Sequence, residues 1–132
     1  MRVGEFTPNA KALIRGRANG RCEMCGLLIT MGAQYHHRKP RRAGGTSDRR
    51  IANVSNGVFL HPRCHDKVEA NRAWALERGW LLHAAEWPEE VPVRMWNGWF
   101  LLVGSRAVPS SQSLGTACDD DGSPGEAAAG LR

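Results

Sequence analysis

The reading of this chain turns on residues 36 to 65. They open with His36-His37-Arg38-Lys39-Pro40-Arg41-Arg42-Ala43-Gly44-Gly45 and close with Asn56-Gly57-Val58-Phe59-Leu60-His61-Pro62-Arg63-Cys64-His65. Just upstream stands Cys22-Glu23-Met24-Cys25. Cys22 and Cys25 form one hook, and His61 and Cys64 form another. Each hook has the two-residue gap that lets both ligands reach one tetrahedral ion. A single Cys-x-x-Cys also serves redox chemistry, but that use wants a strand before the first Cys and a helix directly after it. Here the order is reversed, so Cys22, Cys25, His61 and Cys64 read as ligands of a structural zinc. Such an ion contributes on the order of 10 kcal/mol to holding a small domain together.

His36, His37, Asn56 and His65 are left over from that set. Cys64 and His65 are neighbours on an expected helix, where successive side chains diverge by about 100°. They cannot easily serve one ion, so His65 is free to face a second site. A lone His at a helix start is usually a surface or capping residue. Here a His pair, an Asn and a basic loop accompany it.

Composition sets the frame. A chain of 132 residues with 42% hydrophobic content accommodates one domain with a modest core. No apolar run approaches the length of a membrane span. Met1 to Phe6 contains no apolar signal region, and the expected compartment is a reducing cytoplasm, where four cysteines mean metal or free thiol rather than disulfide. The formal charge is +5, and residues 36 to 50 alone carry six Lys or Arg against one Asp. An isolated basic run is usually a solvated loop; one placed between candidate site residues points to a phosphate-bearing partner.

Thr7-Pro8 starts a helix that runs to about Ala18, with Asn19-Gly20 as its stop. Lys11, Arg15 and Arg17 read as its solvated face. Leu27-Leu28-Ile29 and Gln34 to His37 read as short strands, and residues 38 to 53 as a long exposed loop. Val58-Phe59-Leu60 reads as a buried strand, followed by a helix from Pro62 to about Arg78 that Gly79 ends. Residues 91 to 103 read as a hairpin turning at Asn97-Gly98 in a type I′ turn, its aromatic residues reading as a packing layer in preference to a base-stacking platform. From 107 to 132 the chain turns to Ser, Gly, Ala and Asp and reads as a disordered tail in which Cys118 is a free thiol.

Together the His36-His37 pair, Asn56 in Asn-Gly-Val-Phe-Leu, and His65 closing His-Pro-Arg-Cys-His resemble the HNH endonuclease family, over about residues 18 to 75. The resemblance implies a ββα-metal core stabilised by the zinc knuckle; with the flanking N-terminal helix and the C-terminal β-hairpin read above, which lies outside the resemblance, the expected fold is small α+β. It would occupy one domain over 1–106, with its core at about 18–78 and the hairpin at about 91–103. It also implies roles. His37 would be the general base, and His36 and His65 would hold a catalytic divalent cation. Asn56 would orient the loop and His37, and Arg38, Lys39, Arg41 and Arg42 would grip DNA phosphates. Many relatives carry Asp where this chain has His36, which makes the site softer and leaves Mg²⁺, Mn²⁺, Ni²⁺ or Zn²⁺ as the ion.

The expected activity is therefore metal-dependent hydrolysis of DNA with low sequence specificity, in a protein of small phage or bacterial type serving packaging or homing. Any packaging protein or other partner is not readable. The competing readings are a non-catalytic, zinc-stabilised nucleic-acid-binding module and an assembly protein that docks through the Trp-rich hairpin.

Overall fold

The computed structural model describes residues 5–40 and 50–111. Helix α1 spans Pro8–Ala18, with the Thr7 hydroxyl accepting from the Ala10 N–H at 3.0 Å and Asn19 closing the helix in the left-handed region. Strand β1 (Gln34–His37) pairs antiparallel with β2 (Gly57–Leu60), so that His36 lies opposite Val58 and His37 opposite Gly57. A 3₁₀ turn at Val54–Asn56 leads into β2, and helix α2 (Pro62–Ala70) follows it. Helix α1 packs on β2 and the 3₁₀ turn, and α2 packs on both strands.

Strand alternation gives the first sheet two different faces. On one, a Cβ at Gly57 would meet Ile14 at 2.5 Å and Phe6 at 2.8 Å, so α1 packs directly on the strand backbone. Tyr35 and Phe59 share this face with ring centroids 5.4 Å apart, Lys11 standing over the first and Arg15 over the second. On the other face Gln34 and His36 meet His65 of α2. Phe6, Ile14, Val58, Phe59, Leu60 and Val68 form the core between these layers.

The helix expected from Pro62 to about Arg78 is broken. Helix α2 stops at Ala70, Asn71 adopts φ −134° and ψ 62°, and helix α3 runs over Arg72–Glu77. The Asn71 carboxamide donates to the Lys67 carbonyl at 2.9 Å, the kind of local side-chain bond that competes with helical backbone. Gly79, at φ 82°, ends α3 as expected.

Leu27-Leu28-Ile29 is not a strand. It makes only an isolated bridge from Leu28 to Arg21, because its backbone closes the cysteine turn instead, with the Cys22 N–H donating to Leu27 O at 2.8 Å.

The hairpin is present as β3 (Val93–Met95) and β4 (Gly98–Val103), but its two-residue turn is Trp96-Asn97. Asn97 is not in the left-handed region that a type I′ turn requires, so the turn differs from expectation. A third strand, β5 (Arg106–Pro109), pairs with β4. Ordered structure therefore runs past the expected boundary at 106, and residues 112–132, with Cys118, lie outside the described part. No helix among the described residues is long and apolar enough to cross a membrane.

Two buried arginines tie the parts together. Arg17, expected on a solvated face, pairs with Glu23 through Nη2–Oε1 at 2.9 Å and Nε–Oε2 at 3.1 Å, with both side chains almost fully covered. Its guanidinium also donates to the carbonyls of Gly57, Val54 and Gly104. Glu23 in turn accepts from the Phe59 N–H at 3.0 Å. Helix α1, the cysteine turn, β2 and the β4–β5 connection thus meet at one ion pair.

Arg38 is fully buried and donates to the carbonyls of Gly79 (2.8 Å), Pro88 (3.0 Å), Val91 (2.7 Å) and Ser55 (3.3 Å). Burial pulls its pKa down to about 9, which still leaves it charged at neutral pH.

Candidate metal centres

Two groups of donor atoms each converge within 4.8 Å among the described residues. The first is Cys22, Cys25, His61 and Cys64. Local backbone brings Cys22 and Cys25 together: the Gly26 N–H donates to Cys22 O at 2.8 Å, and Gly26 takes φ 81°, open to glycine without strain. The Cys25 N–H points at the Cys22 Sγ at 3.5 Å. His61 is the N-cap residue of α2 and Cys64 lies in its first turn, since Pro62 at N1 starts the helix there. The Cys25 Sγ sits 3.3 Å from the His61 Nδ1.

Without a cation these thiols are at odds. Burial and the neighbouring Cys22 push the Cys64 thiol up to about 12. Cys25 is lowered, against its own burial, by the Leu27 backbone and the adjacent thiols. Three sulfur donors and one imidazole suit a tetrahedral soft-to-borderline ion, so this is a structural metal site consistent with a zinc knuckle.

The second group is His36, His65 and Glu69. His36 is buried, and its Nε2 lies 2.8 Å from the Trp80 carbonyl. A carbonyl only accepts, so Nε2 carries the proton and Nδ1 keeps its lone pair. Burial, with smaller contributions from the nearby His65, His37 and Arg38, lowers the His36 pKa to about 4 despite the Trp80 bond, and the ring stays neutral at physiological pH. His65 is held at Nδ1 by the Gln34 carboxamide oxygen, which frees its Nε2, 3.7 Å from Glu69 Oε2. The two imidazole rings are 4.9 Å apart. Each imidazole thus has a partner that fixes its tautomer, as in metal sites generally. Two imidazoles and a carboxylate fit a divalent ion.

Glu69 was not expected. Its signal was available: it stands four residues after His65 on the same helix and therefore on the same face.

The remaining expected residues are placed as follows. Asn56 is fully buried; its Oδ1 accepts from the Lys39 N–H at 2.7 Å, and its Nδ2 donates to Lys39 O (3.1 Å) and Ile51 O (2.9 Å). It therefore clamps the two ends of the 40–50 segment. His37 follows strand alternation onto the α1 face, where its ring stacks on Phe6 at 4.1 Å and 11°. It is not gathered with His36 and His65.

Arg38 and Lys39 do not match the phosphate-gripping role expected of them. Arg38 is spent on four carbonyls, and the buried Lys39 directs its Nζ to the Ala84 carbonyl. Both serve the fold because the chain turns inward at the end of β1. Arg41 and Arg42 lie outside the described residues.

No curated protein matches the chain. Residues 22–71 match the family model described as HNH endonuclease, a span that holds both donor groups, Asn56 and His37. The match to an HNH endonuclease domain thus falls on the stretch of the chain that carries both donor groups.

Proposed function

We propose that the protein is a metal-dependent DNA endonuclease in which His36, His65 and Glu69 hold the catalytic divalent ion. The observation that carries this reading is the second donor group. It is separate from the knuckle yet built on the same helix, and its two imidazoles have their tautomers set by Trp80 and Gln34. The knuckle would hold zinc. Its three unpaired thiols fit a reducing, cytoplasmic setting.

A divalent ion in the second group would supply positive charge for the phosphate and for the departing 3′ oxygen. The chain's own residues do the rest. His37, next to His36 at the end of β1 and half-buried, takes the proton from the attacking water as general base. Since the two side chains leave opposite faces, a phosphate at the strand end would be addressed by donor group and base from two sides. Asn56 keeps this strand end in place through its bonds to Lys39.

The test is plasmid cleavage by wild type, His37→Ala and His65→Ala across Mg²⁺, Mn²⁺, Ni²⁺ and Zn²⁺. We expect cutting by wild type only, with at least a 100-fold loss in His37→Ala. Equal cutting by all three would exclude the reading.

One observation favours a second reading, a non-catalytic nucleic-acid-binding module. The His37 ring rests on Phe6, away from the donor group. In that case no variant cuts and DNA binding survives His37→Ala.

A further inference from the structure

The Trp-rich hairpin makes a cleft that the HNH site does not use. The volume is about 340 Å³, between the end of α1, the cysteine turn and the β3–β4 turn. Trp96 and Phe100 form its aromatic part, Asn19 and Asn97 supply carboxamides, and Arg21 supplies a cation. Trp96 is 51% exposed, which a residue serving only to pack the hairpin has no reason to be. Its position is nonetheless fixed. Its backbone N–H donates to Glu23 O at 3.1 Å, and its ring lies so close over Gly26 that a Cβ there would come within 2.8 Å. Arg21 is held at the cleft by a 3.1 Å bond from Nη1 to Gly26 O and is otherwise exposed. The carboxamides of Asn19 and Asn97 are exposed on either side.

A rigid, half-exposed indole beside exposed amide donors and acceptors and a cation matches the needs of one nucleobase. The indole face stacks on the base, the carboxamides meet its polar edge, and the guanidinium meets the adjoining phosphate. An intact duplex keeps its bases stacked and paired, so only an unpaired base can enter. Resting on the reading of DNA as substrate, we infer that this cleft binds an unstacked nucleobase and directs the protein to DNA with single-stranded character. It deepens the proposed function by naming the substrate class.

The experiment is binding by fluorescence anisotropy, with no divalent ion added beyond the knuckle metal. The probes are a fluorescein-labelled single-stranded oligodeoxyadenylate and a blunt duplex. Wild type, Trp96→Phe, Trp96→Ala and Asn97→Ala are compared. The expected result is a loss of about tenfold in single-strand affinity for Trp96→Ala, a smaller loss for Asn97→Ala, and near-complete retention in Trp96→Phe. Duplex affinity should stay unchanged in all of them.

Unaltered single-strand binding in Trp96→Ala overturns the inference and favours a protein occupant of the cleft. A loss shared equally by both probes overturns it too. Unchanged duplex affinity in Trp96→Ala shows that its single-strand loss is not misfolding. Since no cleavage is read, a failed nuclease assay with Trp96-dependent single-strand binding would sink the proposed activity and leave the cleft standing.

Discussion

Gln34 holds His65 by Nδ1 and so decides where the opposite ring nitrogen points. Gln34→Ala should lower divalent-ion affinity at the second group by about 10- to 100-fold, read by calorimetric Mn²⁺ titration, while the knuckle metal content stays unchanged. His36 predicts a pH effect. Its folded pKa, lowered to about 4 by burial, lies below the ordinary value of 6.5. The unfolded chain therefore takes up a proton that the folded protein refuses. Stability from this residue is flat above pH 6.5 and falls as pH drops towards 4, by roughly 3 kcal/mol. Urea titrations of protein with only the knuckle loaded should show a shallower acid loss in His36→Gln than in wild type. At this scale the sequence spoke clearly where spacing is itself geometry, as in Cys22-x-x-Cys25. It misled at Arg38, because a charged side chain looks the same in sequence whether water or four carbonyls surround it.

Helices and strands show the same division. Helix α1 and the β1–β2 pair were legible because caps, proline at N1 and short apolar runs act locally. The break at Asn71 was not, since nothing in the 62–78 pattern separates a continuous helix from two short ones packed at an angle. Strand β5 was hidden for another reason. Arg106-Ala107-Val108-Pro109 is short, has no large apolar side chain, ends in proline and becomes a strand by pairing with β4. Gly79 gives the sharpest test at this level. It sits at φ 82°, and a Cβ there would lie 2.1 Å from the Pro92 carbonyl oxygen. Gly79→Ala must therefore separate the end of α3 from the start of β3 and should destabilise by about 3 kcal/mol or more, measured by chemical denaturation.

Across the whole molecule, buried guanidinium groups and a structural metal site take over work that a larger core would do. Arg38→Met leaves carbonyls of Gly79, Pro88, Val91 and Ser55 without their donor. We expect a loss of about 3–5 kcal/mol, visible as a lowered midpoint in urea, with Arg38→Lys rescuing little because one ammonium cannot reach all of them. Stripping the knuckle metal with a chelator should abolish cooperative unfolding altogether, followed by near-UV circular dichroism.

Cys64 and His65 are consecutive residues in the first turn of one helix. Whatever fixes that turn for the knuckle also fixes it for the second donor group. Ions held by the two groups would then be linked ligands, and linkage runs both ways with one coupling free energy. Loading the knuckle would raise the affinity of the second site, and an ion in the second site would slow release from the knuckle by stabilising the same helical turn. Under the proposed function, loss of the knuckle ion would thus lower activity through the scaffold, with the second donor group chemically intact.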